Sequence, residues 1–130
     1  MILIDTSAWI EFLRDTGSPT CVRVDALLGG DIATCDPVRM ELLAGARDER
    51  HLGELRRLLA GAANVTAQPV DYESAAGLYR QCRSRGETVR RTIDCLIAAI
   101  AIRTDCPILH SDVDFDALAR HTALRIDDRG

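Results

Sequence analysis

Four carboxylates of this chain sit where a carboxylate is expensive. Asp5 closes the apolar run of "MILID", Glu41 lies inside "VRMELLAGA", Asp94 inside "TIDCLIAAIAI", and Asp112 follows "PILHS". An isolated charge among apolar neighbours costs several kcal/mol unless it is paired, used or neutralised. Each acid alone has an ordinary explanation as a helix cap or half of an ion pair, and Arg39, Arg90 and Arg91 are near in sequence. No set of basic residues interleaves with all four at salt-bridge spacing, so the set calls for one shared explanation.

If the four met, each pair about 5 Å apart would repel by roughly 3 kcal/mol at an effective dielectric of 20. Such a cluster needs a cation or protons. Hard oxygen donors suit Mg2+ or Mn2+, which take few protein carboxylates and keep several waters. A hydrated ion of this kind in a cleft is apt for phosphodiester hydrolysis, because it neutralises the phosphate, orients a water and stabilises the leaving oxygen. The net charge of −4 is no obstacle, since the ion reverses the sign that a polyanion meets locally.

The acids must be positioned by the elements around them. Ile2 to Ile4 reads as a strand inside a sheet, with Asp5 at its carboxyl end, where open α/β sheets gather their ligand groups. The same aspartate serves equally well as the cap of a helix starting near Ser7. "SPTCVRVDALLGG" predicts a surface helix capped by Ser18 with Pro19 at its first position, and "DPVRMELLAGAR" repeats that start with Asp36 and Pro37. "DIATC" and "NVTAQP" supply short strands, with the amphipathic helix of "HLGELRRLLAG" between them. A helix follows from Asp71 to Arg85, ended by Gly86. The next, Thr92 to Arg103, is apolar on almost every face and belongs at the centre of the fold. "CPILH" predicts a strand, "SDVDFDALARH" a helix with an acidic first turn, and "ALRI" a last strand. This alternation points to an α/β fold with a parallel sheet covered on both faces.

The 130 residues, 47% of them apolar and 28% charged, suit a single domain over 1–130 with one core. The longest apolar run, "CLIAAIAI", is far short of the roughly 20 residues of a membrane helix, and no leader opens the chain, so the expected location is the cytoplasm. Five cysteines without a Cys-x-x-Cys pair read as reduced, buried apolar residues, and the three histidines have no metal-ligand spacing. All 16 basic residues are arginine. The absence of lysine excludes P-loop nucleotide binding and Schiff-base chemistry. It also disfavours a haloacid-dehalogenase-like phosphatase, which would want a lysine and a second aspartate where Ser7 stands.

"ILIDTSAWIEFL", "MELLAGA", "TIDCLIAAIAI" and "HSDVDFDAL", in this order and over nearly the whole chain, closely resemble the PIN-domain ribonucleases, most of all the VapC-type toxins of VapBC toxin–antitoxin pairs. The resemblance implies a three-layer α/β/α fold with a central parallel sheet and Mg2+- or Mn2+-dependent cleavage of RNA. It further implies a homodimer and inhibition by a cognate VapB-type antitoxin. Carried over by position, Asp5, Glu41, Asp94 and Asp112 form the acidic site. Asp5, Asp94 and Asp112 are then the metal ligands, with Glu41 orienting the water nucleophile or a second ion. Thr6 and Ser7 match the hydroxyls that hold the first aspartate's loop. In "SDVDFD", helical spacing puts Asp112 and Asp116 near one face and turns Asp114 away. Asp116 reads as a solvated helix residue. Trp9, Phe12 and Leu13 form an apolar stripe, either core or a groove for the antitoxin, while the arginines at 80, 83, 85, 90 and 91 crowd the approach to Asp94 and could grip an RNA backbone. The non-enzymatic alternative is a PIN-like scaffold that binds RNA or protein without cutting.

Overall fold

Three β-branched or leucine residues, Ile2–Ile4, form strand β1 at the middle of a four-stranded parallel sheet. The computed structural model describes residues 1–127; residues 128–130 of the expected domain lie outside the described residues. β2 (Ile32–Cys35) pairs with β1 in the register Leu3↔Ala33, β3 (Ala63–Val65) adds outside β2, and β4 (Ile108–Leu109) takes the other flank of β1 through Leu3↔Ile108. The order is therefore β3-β2-β1-β4. The predicted last strand shrinks to one parallel bridge between Ile126 and Ile108.

The connections explain the three layers. Helices α1 (Thr6–Leu13) and α2 (Pro19–Leu27) link β1 to β2, and α3 (Asp36–Ala44) and α4 (Glu49–Ala60) link β2 to β3. The chain then returns across the sheet through α5 (Pro69–Ser84) and α6 (Thr92–Arg103) to reach β4, before α7 (Val113–His121). Right-handed crossovers running in opposite directions put their helices on opposite faces. β1 and β4 thus flank the point where the winding reverses, and crevices open there beyond the carboxyl ends of the strands.

Local chemistry sets most helix starts. Ser18 accepts from the Cys21 amide with Pro19 next in line, Asp48 accepts from His51, and Gln68 and Asp71 form a reciprocal capping box that begins α5 two residues before the expected start. Asp36 differs from expectation. It lies inside α3, whose cap Cys35 makes no side-chain bond, and its carboxylate accepts instead from the Ala67 amide and Asn64 Nδ2, tying α3 to the chain after β3. Gly86, at φ +87°, ends α5 in a paired-amide stop: its own N–H reaches Arg83 O and that of Glu87 reaches Cys82 O. Helix α6 buries seven residues, Asp94, Cys95 and the run Ile97 to Ala101, and packs against α5. All five cysteines are free and buried, as expected. Among the described residues, no helix is long and apolar enough to cross a membrane.

Candidate active site

Asp5 is both strand end and helix cap. Its amide still pairs with Leu109 O in the sheet, while Oδ2 accepts from the Ser7 amide at 2.9 Å and the Ser7 hydroxyl at 2.5 Å. The two readings of this residue were never exclusive. One oxygen caps α1, and the other, Oδ1, is buried without a partner. Ser7 Oγ in turn accepts from the Ser111 amide at 2.9 Å, joining the end of β1 to the loop after β4.

The other acids arrive from separate elements. Asp94 lies in the first turn of α6 and is wholly buried; Asp112 caps α7, its Oδ1 accepting from the Asp114 amide at 2.9 Å. Glu41, in the middle of α3, accepts a 2.7 Å hydrogen bond from the Thr6 hydroxyl. So Thr6 and Ser7 hold two different acids, where a role at Asp5 alone was expected. Asp5, Asp94 and Asp112 all stand at helix N-termini, whose exposed amides and aligned dipoles favour negative charge.

One oxygen each from Asp94, Asp112 and Asp114 lie within 4.8 Å of one another. Sequence spacing had turned Asp114 away, but Asp112 is the cap and not a helical residue, so the i,i+4 comparison with Asp116 does not apply. The signal available was the cap itself: an aspartate two positions inside a capped start lies beside the cap. Asp114 is 4% exposed and its Oδ2 has no partner. Asp116 is half exposed, 3.5 Å from His110 Nε2. Asp5 stands outside the trio, yet its charge reaches Asp94.

The electrostatics show an unfinished balance. Burial pushes the Asp94 carboxyl up to about 7; the Arg91 guanidinium opposes the rise, and the charges of Asp5 and Asp112 add to it. Asp5 is also raised, chiefly by burial and partly by Glu41, against the two Ser7 hydrogen bonds. The neighbouring arginines are more engaged than their spacing suggested. Arg91 Nη2 lies 3.0 Å from Asp94 Oδ1 and 3.3 Å from Glu41 Oε2, while Arg90 reaches Asp112 Oδ1 at 2.8 Å and Asp114 Oδ1 at 3.2 Å. Ion pairing therefore accounts for part of the cluster, contrary to the expectation from spacing. It leaves three buried carboxylate oxygens orphaned: Asp5 Oδ1, Asp94 Oδ2 and Asp114 Oδ2.

A divalent cation fits that remainder. Oxygens around one Mg2+ at roughly 2.1 Å lie at most about 4.2 Å apart, so the Asp94, Asp112 and Asp114 trio needs to contract by less than an ångström or so. The donor set is entirely hard oxygen, with no histidine or cysteine in the trio.

The chain matches the PIN domain over residues 2–121. It is 49% identical to a VapC ribonuclease of Mycobacterium bovis and equally to ribonuclease VapC11 of Mycobacterium tuberculosis, over 129 residues covering 96% of each chain. The chain belongs to the PIN-domain family. Among solved structures, this PIN domain resembles VapBC2 from Rickettsia felis bound to a promoter DNA fragment, with a TM-score of 0.79 at 17% identity over 98% of both chains. It resembles DNA-bound VapBC from Salmonella typhimurium equally well, with a TM-score of 0.79 at 18% identity over 100% of both chains. At those identities the likeness speaks for the fold, and the α/β/α arrangement of this PIN domain is shared with them.

The apolar stripe on α1 divides. Trp9 is fully buried and meets Phe12 edge to face at 6.5 Å, so it is core and unavailable to a partner. Leu13 is exposed at 43%. With Ile10 it borders a hollow between α1, α3 and α4 that Leu42 and Leu55 also line, with Thr6 and Glu41 at one end.

Proposed function

We propose that this chain is a Mg2+- or Mn2+-dependent endoribonuclease of the cytoplasm, the toxin of a type II toxin–antitoxin pair, and that residues 1–130 form one PIN domain. The observation that carries the reading is the set of three unpartnered, buried carboxylate oxygens on Asp5, Asp94 and Asp114 at the point where the sheet reverses its winding. Relatives named as ribonucleases at 49% identity support it.

Asp5, Asp94 and Asp112 would hold the ion, with Asp114 as a further oxygen donor. When bound, such an ion neutralises the scissile phosphate, acidifies a water and stabilises the leaving oxygen. The chain's own groups do the rest. The Thr6 hydroxyl holds Glu41 Oε1 and Arg91 lies 3.3 Å from Oε2, so this largely buried carboxylate is fixed at the edge of the cluster, where it would orient the attacking water and take its proton once Arg91 withdraws. Ser7 holds Asp5 Oδ2, so that Oδ1 keeps one direction.

Two partner surfaces go with this reading. The cognate VapB-type antitoxin would lay an amphipathic helix into the α1–α3–α4 hollow beside Ile10, Leu13, Leu42 and Leu55, and direct a basic side chain at Glu41. A second copy of the chain would cover exposed Met40 and Tyr72 with the neighbouring Ile93 and Leu96, giving the homodimer.

Water as nucleophile dictates the products: a 3′-hydroxyl on the upstream fragment and a 5′-phosphate on the downstream one. Attack by the ribose 2′-hydroxyl would instead leave a cyclic phosphate and need no ion. End-group analysis of cleaved RNA, with and without EDTA, decides between them. A 2′,3′-cyclic phosphate, or cutting undiminished by chelation, would overturn the proposal.

A further inference from the structure

We propose that Arg90 and Arg91 form a latch: in the free chain they compete with the divalent ion for the acids, and they pass to the RNA phosphate once ion and substrate are bound. The proposal rests on the metal-dependent reading above. Among the described residues, the ion pairs to Glu41, Asp94, Asp112 and Asp114 come from these two arginines alone. Each guanidinium spans two acids, Arg91 joining α3 to α6 and Arg90 joining the cap of α7 to its first turn. Two positive charges thus lie against the acids that a doubly charged ion would bind.

The oxygens divide by role. The arginines hold Asp94 Oδ1, Asp112 Oδ1, Asp114 Oδ1 and Glu41 Oε2, whereas the unpartnered oxygens are Asp94 Oδ2, Asp114 Oδ2 and Asp5 Oδ1. A pair of arginines serving only stability would be expected to finish the job. Their side chains are instead 65% and 53% exposed, where solvent weakens an ion pair and lets it exchange. Exposure on the solvent side of the acids is also where an incoming phosphate would arrive, and a guanidinium fork grips phosphate as well as carboxylate.

The backbone beneath the latch is held while its tips are free. Gly86 closes α5, the Glu87 carboxylate accepts from both Arg120 and His121 of α7, and Val89 is buried in the core at 1% exposure. Only side-chain rotation is needed to move either guanidinium off its carboxylates. Arg80, Arg83 and Arg85 lack this placement; Arg83 lies over the Tyr79 ring, and none of the three pairs with the cluster.

The latch predicts effects of opposite sign on two ligands. Titration calorimetry with Mn2+ should show Arg91→Gln and Arg90→Gln each binding about tenfold more tightly than wild type, because a competing like charge is gone. Binding of a fluorescent single-stranded RNA, measured with Ca2+ in place of Mn2+, should weaken about tenfold in the same variants. Its dependence on log salt should lose about 0.7 in slope for each phosphate contact removed. Arg91→Lys, which keeps the charge and loses the fork, should bind Mn2+ as wild type does and RNA less well. Arg90 is the more exposed of the two, so Arg90→Gln carries the test should Arg91→Gln fail to fold. If wild type binds Mn2+ and neither glutamine variant binds it more tightly, the latch is wrong and the metal site stands. If wild type and variants all fail to bind Mn2+, both proposals fall.

Discussion

Asp71 and Asp94 are almost equally buried, at 1% and 0% exposure, and each has an arginine at hydrogen-bond distance, yet their carboxyls are driven in opposite directions. Arg103 forks onto both oxygens of Asp71 at 2.8 and 2.9 Å, the Gln68 amide adds a third bond, and the group is held below its ordinary value, chiefly by Arg103. Asp94 receives one bond, has acids for neighbours, and is raised to about 7. Burial and a cation are common to both. Completeness of the partner set separates them: a finished pair clasps α5 to α6, whereas an unfinished one keeps an affinity in reserve at the expense of stability.

The contrast is most sharply tested at Asp94. Asp94→Asn, like Asp5→Asn, should lower RNA cleavage with Mg2+ by about a thousandfold or more, since several kcal/mol of transition-state stabilisation pass through the acids. In EDTA its thermal midpoint should equal or exceed that of wild type. A variant that cuts at the wild-type rate would end the distinction.

Asp71→Asn should do the reverse. It leaves the Arg103 fork facing an amide and should cost about 3 kcal/mol in urea denaturation, while the folded fraction cleaves RNA normally. A loss under about 1 kcal/mol would mean that the clasp contributes no more than a surface pair.

The smallest effect, taken per pH unit, is in pH dependence. Folded Asp94 takes up its proton near 7, whereas the unfolded chain waits until about 3.8, so acidification between those values binds protons to the folded state and stabilises it. In EDTA, wild type should gain at most about 1.4 kcal/mol per pH unit from this proton, and Asp94→Asn should lack that gain. Asp71 is depressed, so its contribution is present above about 3.8 and is lost as pH falls through its lower folded value. Urea melts at several pH values distinguish the two; a gain that persists in Asp94→Asn would assign the proton elsewhere.

The elements were legible because they follow local rules: Ser18-Pro19, the apolar run of α6 and the Ile2–Ile4 strand each specify themselves over a few residues. Asp5, Glu41, Asp94 and Asp112 stood out in the sequence because each contradicts its surroundings, whereas Asp114, which the structure brings within 4.8 Å of Asp94 and Asp112, did not. What escaped was pairing at long range. Nothing local says that Arg90 reaches Asp112 and Asp114 across 22 and 24 positions, or that Arg103 finds Asp71 across 32. Trp9 was ambiguous because an apolar stripe looks the same facing a core or a partner, and only the packing of α1 put it inside.

The pairing of β1 with β4 also sets a timetable. Asp5 is synthesised 107 residues before Asp112, and Asp112 and Asp114 follow only after α6 and the paired strand Ile108–Leu109 have been made. Translation at roughly 5–20 residues per second makes that an interval of many seconds. Throughout it the nascent polypeptide holds Asp5 without Asp112 and Asp114, so the acid cluster closes only when a strand synthesised more than a hundred residues after Asp5 has paired beside β1.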